Sequence, residues 1–161
     1  MDDEYIQLQA ASAADVFNNG FNCAQSVLSA LGPGLGLQRE LCFKLGSPFG
    51  AGIARRQEIC GAVAGAIMVL GLEHGRGEND GESVKESASR ITNEFFNRFD
   101  QIHGSHQCRN LLGLDMNTPD GKDQMVRENF LQTKCLVYVR DAVRITLELR
   151  NKITGGDSPP V

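Results

Sequence analysis

The sequence predicts an all-α fold: a single-domain bundle of about six to seven helices around a central Gly/Ala-rich helix. Three observations carry this. Apolar residues recur at helical spacing in nearly every segment. The run Ile59–Leu72 holds 14 residues without a charge, which is core-helix length and short of the roughly 18 apolar residues of a membrane span. Alternating strand patterns on either side of a hairpin turn are missing.

The elements follow in order. Glu4 to about Asn18 places Ile6, Ala10, Ala13 or Ala14 and Phe17 on one face, and Asn19-Gly20 closes it with a glycine free to turn left-handed. Asn22 reads as the N-cap of a helix through Val27, Leu28 and Leu31, ended by Gly32-Pro33-Gly34. A short helix is expected over Gln38–Leu45. The loop Gly46–Gly52 carries three further glycines and a proline, without the Gly-Lys-Ser/Thr ending of a phosphate loop. After the Ile59–Leu72 helix, a polar break leads into Glu82–His103, where Val84, Ala88, Ile91, Phe95, Phe99 and Ile102 form one stripe of an amphipathic wall. "CRNLLGLD" gives one or two turns, Asp120–Phe130 a weak helix, and Thr133 starts a strong one through Arg150. The domain is thus expected over 1–153, with 154–161 a disordered tail.

At 161 residues, the chain is long enough for one real core. Its 16 Lys+Arg against 20 Asp+Glu leave a net charge of -4, so nothing favours a nucleic-acid partner. The acidic start Met-Asp-Asp-Glu is not a secretory signal, and the expected location is cytoplasmic.

Five cysteines stand at 23, 42, 60, 108 and 135, with no CxxC pair among them. An odd count in a reducing compartment points to metal ligands, redox thiols or core packing rather than a disulfide framework. Cys23, Cys60, Cys108 and Cys135 each fall in or near the first turn of an expected helix, where the helix dipole favours an anion and depresses a thiol pKa. Cys42 sits mid-helix and reads as core. Gly61 and Gly65 share one face of the central helix; each costs about 1 kcal/mol against alanine, which close approach of another helix or of a cofactor would offset. His74, His103 and His106 read as surface or capping residues, and no acid–base triad or Glu-x-x-His metal pattern is present.

Cys60-Gly61-Ala62-Val63-Ala64-Gly65 resembles the CGAxxG signature of the redox-active family written C_GCAxxG_C_C. "GFNCAQSVL" is similar to its first cysteine segment, "GSHQCRNLLGLD" to its third and the Lys134-Cys135 helix to its fourth, in the family's order. The resemblance implies four functional cysteines, Cys23, Cys60, Cys108 and Cys135, and an oxidoreductase or transport role. From all-thiolate donors, the expected cofactor is an iron–sulfur cluster, with Gly61 and Gly65 leaving room beside it. A dithiol–disulfide protein without cofactor, or a zinc–thiolate module, is the alternative. The expected partner is an unidentified redox protein, and a homodimer is compatible with the sequence.

Overall fold

A computed structural model of the chain describes residues 2–154, with side chains to Asn151. Among these, eight α-helices form one bundle and no strand is present. The stretch 155–161, which falls in the expected tail, lies outside the described residues.

Helix α1 (Asp3–Asn18) starts on the Asp2 side chain, which accepts from Tyr5 N–H, and ends at Asn19 before Gly20 at φ 93°. Helix α2 (Cys23–Leu31) opens on a full capping box. Asn22 Oδ1 accepts from Gln25 N–H at 2.9 Å, and Gln25 Oε1 accepts from Asn22 N–H at 3.0 Å. This reciprocal pair satisfies two of the free amides at the helix start and fixes Cys23 as the first helical residue. Helix α3 (Arg39–Gly46) packs against α2.

Helix α4 (Gly61–His74) is the centre. Gly61 through Ala66, Val69 and Leu70 are buried, as a helix apolar on all sides must be. It packs against α2, α5 (Glu82–His103) and α8 (Leu136–Thr154), while α1 closes over α2 and α8. Helix α8 turns Val139, Ala142, Val143, Ile145, Leu147 and Leu149 into the same core.

The wall helix α5 differs from expectation at its end. Ile91, Phe95 and Phe99 are buried, but Ile102 is 49% exposed. His103 takes the inward position instead, tilted against Phe99 at 4.6 Å and edge-on to Tyr138 at 5.0 Å between ring centres. Two short helices, α6 (Cys108–Leu112) and α7 (Pro119–Arg127), follow. Thr133 does not start the last helix. Its hydroxyl donates back to the Glu128 and Asn129 carbonyls at 3.3 and 3.1 Å, the in-helix bond of Ser and Thr rather than a cap. The helical path begins after Asn129 (φ 51°), runs through a π-turn at Leu131–Cys135 and continues into α8.

Candidate functional site

Cys23, Cys60, Cys108 and Cys135 line one cavity of about 630 Å³. Each arrives from a different element: Cys23 as the first residue of α2, Cys60 as the N-cap of α4, Cys108 as the first residue of α6, and Cys135 at the end of the π-turn. Every pair among the four interacts electrostatically. Cys42 lies apart, buried under α2 beside Gly32 and the Leu37 carbonyl.

The strand-like stretch before α4 sets two of these positions. Cys60 N–H donates to His106 O at 2.8 Å and Cys108 N–H to Glu58 O at 2.7 Å, around an isolated antiparallel bridge of Ile59 with Gln107. Gln57 adds a side-chain clamp: its Nε2 donates to Leu114 O and its Oε1 accepts from Met116 N–H, both at 2.9 Å. Upstream, Ala51, Gly52, Ile53, Ala54 and Arg55 all have left-handed φ between 49° and 66°, and Gln57 follows at 56°. Left-handed backbone costs about 1–2 kcal/mol per non-glycine residue, and such strain persists where surrounding bonds over-determine it. Gly52 has no room for a side chain, because a Cβ would stand 2.8 Å from Cys108 Cβ and 2.7 Å from Gln57 Cα. The segment therefore wedges Cys108 against the loop before Cys60.

Burial decides the state of two thiols, Cys60 and Cys108. Cys60 receives the helix-start effect, with the Ala62 and Val63 amides lowering its pKa, yet burial outweighs them and pushes it up to about 11. Burial, then Cys60 and Cys135, push Cys108 up to about 12. The expectation of depressed pKa at all four helix starts is thus corrected. In an apolar pocket the cost of a poorly solvated anion exceeds what a few aligned amides return. Cys135 alone is lowered, chiefly by a hydrogen bond from the Cys23 thiol and then, against burial, by the Lys134 ammonium and a backbone bond. Cys23 is raised well above the ordinary thiol value, first by that same bond and next by burial.

Lys134 is held by α6: its Nζ donates to Leu112 O at 3.1 Å and stands 4.0 Å over the Phe130 ring. Tyr138 also lines the cavity, its hydroxyl donating to Leu111 O at 3.2 Å and its pKa pushed up to about 12 by burial.

The two glycines differ. At Gly61 a Cβ would meet Phe49 O at 2.8 Å and Cys23 Cβ at 3.1 Å, so Gly61 borders the cavity. Gly65 is a turn further on, pressed to α2, where a Cβ would stand 2.9 Å from Ala24 O; it does not line the cavity. None of the histidines lines it. His103 Nε2 meets Asp141 at 3.0 Å, His106 Nδ1 meets Asp100 at 2.9 Å and His74 lies 3.5 Å from Glu73. Among the described residues, no group of three or more Cys, His, Asp or Glu side chains is gathered tightly enough to hold a metal ion.

Sequence reasoning missed Gln57, Arg55, Lys134 and Tyr138. Lys134 had a legible signal, a cation beside a candidate thiol. Gln57 had none, since its role comes from contacts more than fifty residues away.

A helical bundle that turns four cysteines from four elements into one apolar cavity defines a cysteine-centred helical protein. Residues 21–149 match the family described as "Putative redox-active protein (C_GCAxxG_C_C)". The chain belongs to that family. No curated protein and no solved structure matches it. Among the described residues, no helix is long and apolar enough to cross a membrane.

Proposed function

We propose that the protein is a thiol redox protein in which Cys23 and Cys135 cycle between dithiol and disulfide. The place of both sulfurs in one cavity lining, with Cys23 raised and Cys135 lowered by their interaction, carries this reading. A dithiol exchanger needs one thiolate and one neighbouring thiol, and this pair tends that way, with the Cys23 thiol raised and Cys135 lowered. Their distance in sequence is no obstacle, because α2 and the π-turn bring them together. Oxidation forms the Cys23–Cys135 bond, passes two electrons to the acceptor and releases the proton from Cys23.

The convergence of all four cysteines favours a second reading, an iron–sulfur cluster. The donor set fits: four thiols line a cavity roomier than one ion needs. Cys23, Cys60, Cys108 and Cys135 would hold the cluster, which when bound supplies one-electron transfer. Burial that keeps Cys60 and Cys108 neutral in isolation would be offset by the positive charge of iron. Zinc gains less support, since tetrahedral Zn–S bonds of 2.3 Å set the sulfurs about 3.8 Å from one another, and no such group of three is present among the described residues.

Anaerobic expression with iron, then iron and acid-labile sulfide analysis beside peptide mapping after mild oxidation, separates the two. A colourless protein with a reversible Cys23–Cys135 disulfide supports the dithiol. Stoichiometric iron and sulfide, lost in Cys60→Ser and Cys108→Ser, would replace it with the cluster.

A further inference from the structure

The cavity is larger than exchange between two of its own sulfurs requires. Its volume of about 630 Å³ lies within the roughly 300–1,000 Å³ of small-molecule sites. Phe17, Phe21, Met125 and Leu131 make much of the wall apolar. No Asp or Glu lines it, and Arg55 is the one lining residue with a permanent charge among those described.

The charges near Arg55 are already matched. Arg56 lies 3.9 Å from Glu58, and Arg109 lies 3.1 Å from Asp115. Arg55 forms no ion pair among the described residues. Its backbone is fixed all the same: φ is 64°, and Asn117 Nδ2 donates to its carbonyl at 2.9 Å. A chain of net charge -4 thus holds, in the lining of a cavity free of carboxylates, an arginine without an ion pair among the described residues, on backbone that is strained and pinned. Arginine's planar fork matches a carboxylate with two parallel hydrogen bonds.

We propose that the cavity takes a low-molecular-weight disulfide with an apolar body and a carboxylate, the carboxylate on Arg55 and the sulfurs against Cys135 and Cys23. This rests on the dithiol reading above. The Cys135 thiolate attacks one substrate sulfur, a mixed disulfide forms, and the substrate S–S bond breaks to release a thiolate. That thiolate takes the Cys23 proton. Cys23 then attacks the Cys135 sulfur, closes the protein disulfide and expels the second half of the substrate as a thiolate. Two electrons pass from protein to substrate, which leaves as one thiol and one thiolate.

The test uses two aromatic disulfides that absorb on cleavage: dithiobis(2-nitrobenzoate), which carries carboxylates, and neutral 4,4'-dithiodipyridine. Rates are taken from the fast phase mapped by mass spectrometry to Cys23 and Cys135, in wild type, Arg55→Lys and Arg55→Glu of matched helicity. Arg55→Glu is expected to slow the carboxylate reagent roughly tenfold and the neutral one less than about twofold, since a charge reversal acts only on the charged ligand. Arg55→Lys should keep most of the carboxylate rate, and added salt should erode it. If Arg55→Glu slows both reagents alike, or neither, the substrate assignment is overturned while the dithiol stands. If wild type shows no fast exchange with either reagent, the dithiol reading falls and takes the substrate with it.

Discussion

Gln57 and Met116 are joined by a 2.9 Å hydrogen bond from the Met116 N–H to the Gln57 side-chain oxygen, and the amide nitrogen of Gln57 donates to Leu114 at the same distance. Gln57 is 3% exposed and left-handed. Both ends of its amide are used, so this one side chain ties the segment before Cys60 to the segment after Cys108. It adds to the backbone bonds that hold Cys60 to His106 and Cys108 to Glu58.

Replacing Gln57 with alanine leaves the Leu114 carbonyl and the Met116 amide without partners in a partly buried site. At about 1–3 kcal/mol for each buried unpaired group, the expected loss is about 2–4 kcal/mol in urea denaturation. A loss under about 1 kcal/mol, within the range of ordinary surface substitutions, would show that the clamp is not what holds the segment.

Alkylation should report the proton placement in the cavity. Only Cys135 is lowered, whereas burial pushes Cys60 to about 11 and Cys108 to about 12. With iodoacetamide at pH 8, Cys135 is expected to react at least about tenfold faster than either, because the thiolate is the nucleophile. Cys23→Ala removes the donor and should slow Cys135. Equal rates at Cys60 and Cys135, read by peptide mass spectrometry, would contradict the arrangement.

The same thiols make stability fall on the alkaline side. In the unfolded chain a cysteine ionises near its ordinary value of 9.0, while folded Cys60 and Cys108 hold their protons to about 11 and 12. Over that interval the folded state binds more protons, so each rise in pH favours unfolding. The contribution is whole below pH 9 and lost as pH climbs toward 11 and 12. For Cys60 the loss is on the order of 3 kcal/mol at about 1.4 kcal/mol per unit. Cys60→Ala should flatten the slope of urea-unfolding free energy above pH 9; a variant as steep as wild type would refute the assignment.

The helices were legible because they rest on local patterns. The Asn22 cap, the Gly20 stop and the uncharged run after Ile59 each state their conformation within a few residues. The fourth cysteine's setting was not legible, because Thr133 looks like a cap and acts as a back-bonded helix residue, which only the preceding turn at Asn129 decides. The pKa order was misread for a related reason: a helix start can be seen in sequence, but the burial that overrides it comes from four elements closing at once. The left-handed run Ala51–Arg55 leaves no trace beyond Gly52, since alanine, isoleucine and arginine have no local preference for it.

Two glycines of the central helix should respond to alanine with opposite signs. At Gly71 a Cβ would meet nothing within 4 Å, and the residue is exposed. Alanine there removes backbone freedom from the unfolded chain and should stabilise by about 0.5–1 kcal/mol. At Gly65 the same helical gain meets Ala24 O at 2.9 Å and Val27 Cβ at 3.1 Å. A carbonyl within α2 cannot rotate away, so the two helices must part, at the roughly 1–3 kcal/mol typical of overpacking. The net expectation for Gly65→Ala is a loss of up to about 2 kcal/mol by urea denaturation, after the helical gain of about 1 kcal/mol is set against the clash. The shift also falls on the residue after Cys23, so the Cys23 sulfur should move with it. Gly65→Ala is therefore expected to slow Cys23–Cys135 disulfide formation, while Gly71→Ala leaves the rate unchanged. Equal stabilisation at both positions would mean that α2 and α4 do not approach as closely as Gly65 requires.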